Sequence, residues 1–67
     1  MTTYTAGEAA DLLRVTVKTV RKLFDDGLLT GYRAGPRGDR VITKASLVRL
    51  LEHHPKYRKN ANLDLLR

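Results

Sequence analysis

The apolar period of this chain changes twice, and those changes limit its fold more than any other feature of the sequence. Apolar residues recur at helical spacing up to Leu29, alternate between Thr30 and Thr43, and return to helical spacing up to His54. The middle stretch holds Gly31-Tyr32-Arg33-Ala34 and Arg40-Val41-Ile42-Thr43, two short strands separated by the turn formers Gly35-Pro36-Arg37-Gly38-Asp39. A two-stranded hairpin is marginal by itself, so this one has to rest on the helices around it. With 67 residues there is room for one small domain, which buries only about 60% of its unfolded surface. The absence of cysteine removes disulfides and thiolate zinc sites as supports. His53 and His54 are adjacent, about 100° apart on a helix, and do not converge on one ion. Packing, capping or a bound partner must hold the fold, and neither a metal nor a cofactor is expected.

Local signals place the helices. Residues 1–4 read as a short lead-in. Thr5-Ala6-Gly7-Glu8 fits a capping box, in which the threonine hydroxyl and the Glu8 carboxylate each accept from the other residue's backbone N–H. Ala6, Ala9, Leu12 and Leu13 then give a first helix over 6–13, with alanines small enough to let another helix approach. Leu13-Arg14-Val15-Thr16 is a turn without glycine or proline, short enough to send the next helix across the first. Thr16 caps that second helix, and Val15 and Val20 occupy hydrophobic-staple positions. Val17, Val20, Leu23 and Phe24 fall on one side and Lys18, Arg21 and Lys22 on the other, and Gly27 is a left-handed C-cap. Leu28 and Leu29 read as core residues that anchor the return of the chain, and Tyr32 reads as a core residue of the first strand. Thr43 caps a third helix over 44–54, with Ile42 and Leu47 as its staple. Ala45, Leu47, Val48, Leu50 and Leu51 form its buried face, and Pro55 ends it. The sum is a mainly α fold with a small β-hairpin: a winged helix-turn-helix of three helices plus a two-stranded wing, over residues 1–55. Residues 56–67 form a basic, leucine-bearing tail, flexible or partner-binding, in which Asn62 can cap a single turn that presents Leu63 and Leu66.

The charge is unevenly placed. The net balance is +6, yet residues 1–13 carry Glu8 and Asp11 and no base, whereas residues 14–44 carry eight bases against three acids. Cationic charge concentrated on the helix-turn-helix and the hairpin points to a polyanion partner. The first turns of the two helices differ in the same sense. The first helix places Glu8 there, whereas the second has Lys18 and Thr19 and no acid before Asp25. Its positive end is left uncompensated, which suits a phosphate or a base edge, while Asp25 and Asp26 oppose the dipole at the far end. That polarity predicts entry into a groove by the N-terminal half. Arg37, at the tip of the wing, can extend into a narrow minor groove. Arg33 and Arg40 are expected as cross-strand neighbours on the outer face, where like charges destabilise a hairpin unless something anionic covers them. Arg21 has an intramolecular alternative, an i,i+4 pair with Asp25.

Other chemistry finds no support. Glu8 and Asp11 are capping and dipole residues rather than a catalytic pair, and no Ser/His/Asp order, phosphate loop or dinucleotide fingerprint occurs. No catalytic residue is assigned, and an enzyme is not expected. No apolar run approaches the length of a membrane span, and the N-terminus lacks the basic start and apolar centre of a signal peptide. A cytoplasmic location, beside the nucleoid of a bacterial host, is expected.

Thr16-x-x-Thr19-Val20-Arg21, then Gly27-Leu28-Leu29, then Arg33 and Arg40-Val41-Ile42 resemble, in order and spacing, the MerR-like winged domains. Within that group the short chain resembles the phage excisionases, also called recombination directionality factors. The resemblance covers residues 4–52. It departs at Asp39-Arg40, where these domains often carry two arginines, and the long dimerisation helix of full MerR regulators is absent. The resemblance implies that the second helix lies in the major groove of double-stranded DNA and the wing in the adjacent minor groove. Thr16, Lys18, Thr19 and Lys22 would then face the major groove, with the lysines able to reach guanine acceptors or phosphate. Arg21 would hold the DNA backbone, and Arg33, Arg37 and Arg40 would be the contacts of the wing. It further implies self-association on bent attachment-site DNA and cooperation with a phage integrase. Two other readings remain open: a small MerR-like transcriptional regulator at an operator, and a protein-interaction module that acts through the leucines of the tail.

Overall fold

Three threonines start the three principal helices. Thr5, Thr16 and Thr43 each sit in extended backbone and accept the N–H three residues on, from Glu8 (3.1 Å), Thr19 (3.2 Å) and Ser46 (3.3 Å). They cap α1 (Ala6–Leu13), α2 (Val17–Asp25) and α3 (Lys44–His53). The Glu8 carboxylate accepts the Thr5 N–H in return at 2.9 Å, which completes the capping box. The computed structural model describes residues 2–66; Met1 and Arg67, the outer ends of the two segments expected from sequence, lie outside the described residues.

The helix ends follow from the turn residues available. α1 closes on Arg14, which adopts the left-handed conformation (φ 57°) because the turn to α2 offers no glycine to take it. α2 closes in a Schellman arrangement, with Gly27 (φ 83°) donating to the Phe24 carbonyl at 3.1 Å and Leu28 to the Leu23 carbonyl at 2.9 Å. This geometry turns Leu28 outward, 41% exposed, and Leu29 inward, 1% exposed, so only the second of the two leucines joins the core.

The wing has three strands, one more than expected. β2 (Gly31–Ala34) and β3 (Asp39–Thr43) make the hairpin. The stretch that reads as a lead-in supplies β1 (Thr3–Thr5), which pairs antiparallel with the other edge of β3, giving the order β1-β3-β2. Tyr4 stands opposite Ile42, and both point toward the helices and are buried. Strand alternation therefore sends Arg33 and Arg40, paired across β2 and β3, to the helix side as well, not to the outer face. Tyr32 and its partner Val41 take the opposite face, and Tyr32 is 55% exposed instead of packed in the core.

Ala9, Ala10, Leu12 and Leu13 of α1 meet Val20 and Leu23 of α2, Ile42 of the sheet and Leu47, Leu50 and Leu51 of α3 in one cluster. Ala45 is exposed and Val48 half-buried, because the inward face of α3 runs through Leu47, Leu50 and Leu51 together with Ser46. Ser46 is buried but satisfied, its hydroxyl lying 2.8 Å from the Thr43 carbonyl and 3.1 Å from that of Thr30. Pro55 ends α3, as expected, by forcing His54 out of helical backbone, and then opens α4 (Pro55–Asn60). The described part of the tail is folded. Tyr57, Ala61 and Leu66 pack against the core, and the Asn62 N–H donates to the Leu12 carbonyl at 2.7 Å. Asn62 does cap a turn, a 3₁₀ segment over Leu63–Leu65, but it turns Leu66 inward and leaves Leu63 and Leu65 exposed. No described helix is long and apolar enough to cross a membrane.

Two substitutions should move stability in opposite directions in urea unfolding. Arg14→Gly removes the strain of a left-handed side-chain-bearing residue and should stabilise by about 1 kcal/mol. Gly31→Ala would drive a Cβ into the Val41 carbonyl oxygen across the hairpin, and this steric conflict should cost about 3 kcal/mol or more.

Candidate nucleic-acid interface

α2 turns its apolar side to the core and leaves Thr16, Lys18, Arg21 and Lys22 exposed around its N-terminal half. Lys18 precedes Arg21 and Lys22 by three and four positions, so the three cations share one helix face. Thr19 is half-buried, and its hydroxyl lies 3.0 Å from that of Thr16, so both hydroxyls already serve the start of the helix. The first turn holds no acid. The unshared N–H groups there and the three cations outside them give this end of α2 a positive field.

The wing meets this helix across an open cleft of about 340 Å³. The cleft is bounded by the start of α1 at Thr5, Ala6 and Gly7, by Val17 and Arg21 of α2, and by Arg33, Arg37 and Arg40 of the wing. Four of the arginines expected from sequence to act together are thus neighbours in space, drawn from two elements. Thr16, Lys18, Thr19 and Lys22 are placed on the helix beside the cleft and do not line it.

The four arginines are held differently. Arg33 donates its Nε–H to the Gly38 carbonyl and so braces the turn at the wing tip. That turn needs Gly35 and Gly38 at φ 78° and 65°, and it holds Arg37 exposed. Arg40 reaches back to the end of α2, where one terminal nitrogen lies 3.1 and 3.3 Å from the two Asp25 carboxylate oxygens. Its guanidinium carbon stands 5.7 Å from the centre of the Phe24 ring, a cation–π distance. The Arg40 side chain is 19% exposed, and its Nε is buried without a hydrogen-bond partner among the described residues. Arg21 makes no pair with Asp25, one helical turn on, whose carboxylate is engaged by Arg40. Phe24 and Asp25 do not line the cleft but hold Arg40 from the end of α2, and Arg40 and Ile42 have the same strand parity, a signal that the arginine points inward.

An acid-free helix start thus lies beside an arginine-rich wing, so positive charge is presented from two neighbouring elements. The family model for the helix-turn-helix domain matches residues 3–55, which covers α1 to α3 and all three strands. No curated protein and no solved structure gives a match. The fold described above is a winged helix-turn-helix, and by the match across most of its length the chain belongs to the helix-turn-helix domain family, whose members bind double-stranded DNA in a sequence-specific manner.

Proposed function

We propose that this protein is an architectural DNA-binding factor of the excisionase type, which binds attachment-site DNA in several copies, bends it, and directs an integrase toward excision. The observation that supports this reading best is the shared cleft, in which Arg21 of α2 and Arg33, Arg37 and Arg40 of the wing stand together. A helix that enters the major groove and a wing that reaches the adjacent minor groove embrace one DNA strand between them, and this cleft lies where that strand would run. Lys18 and Lys22 contact base edges or phosphates in the major groove, Thr16 and Thr19 frame the helix start beside them, and Arg21 and Arg37 hold the backbone and the minor groove.

Size dictates the rest of the mechanism. A single module of this kind covers about 600–1,000 Å² and neutralises few phosphates, so one copy binds weakly and with steep salt dependence. Useful occupancy requires neighbouring copies or a larger partner on the same DNA. A wing inserted in a minor groove favours narrow, deformable sequence, so adjacent copies accumulate bend, and bent DNA is the substrate on which an integrase changes direction. The protein acts in the cytoplasm of a bacterial host, on the nucleoid. A transcriptional regulator would use the same surface at an operator, and a purified recombination reaction separates the two.

Gel-shift titrations on attachment-site arms across a salt series test the DNA contacts. Lys18→Ala and Arg37→Ala should each weaken binding and reduce the slope of log K against log salt by about 1, as expected for the loss of one phosphate contact. In an integrase reaction the wild-type chain should raise excision and suppress integration. Unchanged recombination direction, with specific DNA binding intact, would overturn the excisionase reading.

A further inference from the structure

We propose that Arg40 serves DNA binding without touching DNA: it is a positioning residue that withdraws the Asp25 carboxylate from Arg21, leaving Arg21 free for a phosphate. This inference rests on the DNA-binding reading above and assigns roles within that surface. Four observations carry it. Arg21 and Asp25 are one helical turn apart on α2, the spacing at which an arginine and an aspartate pair, yet they do not pair. The carboxylate is instead engaged through both oxygens by Arg40, at 3.1 and 3.3 Å. Arg40 is held on several sides: by strand β3, which is hydrogen-bonded on both edges, by Asp25, and by the Phe24 ring at 5.7 Å. Its Nε is buried, so swinging the side chain out to DNA would break the ion pair and leave Asp25 without its partner, one turn from Arg21.

The arginines of the cleft thus divide by what they already hold. Arg33 is committed to the Gly38 carbonyl and Arg40 to Asp25, whereas the side chains of Arg21 and Arg37 have no hydrogen bond or ion pair within the described residues. An anion entering the cleft meets two free guanidinium groups; the exposed Asp39 also lines the cleft, whereas Asp25, one turn beyond Arg21 on α2, is held by Arg40. Without Arg40, Asp25 would offer Arg21 a partner and leave an uncompensated negative charge one turn from it. Like charge at the edge of an interface slows association and weakens binding.

The test compares Arg40→Gln, Asp25→Asn and the double variant with the wild-type chain on a footprinted DNA duplex, with affinity measured across a salt series and folding followed by helical circular dichroism. Arg40→Gln should weaken binding by about fivefold, and adding Asp25→Asn should return it to within about twofold of wild type with the wild-type salt slope. Asp25→Asn alone should leave affinity within about twofold and the slope unchanged. A double variant as weak as Arg40→Gln, with a slope shallower by about 1, would make Arg40 a phosphate contact and overturn the proposal. If Arg40→Gln does not fold, Asp25→Asn decides alone: tighter binding with a steeper slope would mean that freed Arg40 joins the DNA, and would likewise overturn it. A wild-type chain that leaves no footprint on any duplex would instead overturn the DNA reading itself.

Discussion

Strand β3 is the piece on which the rest of this small fold depends. It is hydrogen-bonded to β1 on one edge and β2 on the other, so among the described strands it alone has no free edge. Its inward residues do separate tasks. Ile42 is fully buried among the leucines of α1 and α3, and Arg40, two residues earlier on the same face, closes on the end of α2. At its end Thr43 caps α3, and its N–H donates to the Thr30 carbonyl at 3.0 Å where the chain enters the wing. Five residues therefore tie the wing to the core, to α2 and to α3. In a chain this short, with no disulfide to assist, fixing one strand from several directions lowers the number of alternative arrangements of wing and helix.

That rigidity bears on how such a module would read DNA. The helix and the wing each carry only a few cations, and neither alone would supply much affinity. Held at a fixed separation, they present their charges as one surface, and the entropy of ordering them is met on folding instead of on binding. The Arg40–Asp25 contact lies at the junction. It neutralises an acid that would repel a phosphate, and it joins the C-terminal end of α2 to the base of the wing. The tail packs on the same core, with Tyr57, Ala61 and Leu66 against the cluster that includes the apolar residues of α1 and α3.

Much of this was legible in the sequence where the signal was local. The starts of α1, α2 and α3 fall where Thr5, Thr16 and Thr43 announce them, because a cap is a contact between residues three apart. Gly27 and the Gly35–Gly38 turn are equally local, as both need backbone that glycine adopts at little cost. What was not legible depends on residues far apart in the chain. Thr3-Tyr4-Thr5 is too short to read as a strand until β3 lies beside it, although its β-branched and aromatic composition fits one. Leu28 and Leu29 look alike, and only the Schellman turn separates them. Arg33 and Arg40 were expected on the outer face on the strength of their charge; strand parity with buried Ile42 points the other way, and a guanidinium can lie inward when a carboxylate and a ring are there to receive it. For the tail, composition left a flexible or partner-binding end open, and the packing of Tyr57, Ala61 and Leu66 against the core depends on residues distant in the chain.

The central claim is that the N-terminal half of α2 and the wing form one DNA-binding surface. The most direct measurement is a nitrogen-15 amide titration of the folded protein with a short duplex that carries a footprinted site. Residues 16–22 and 33–40 should shift together with added DNA and saturate at the same ratio, while the amides of α4 and the 3₁₀ turn stay in place. Shifts confined to residues 55–66, with α2 and the wing unmoved, would contradict it.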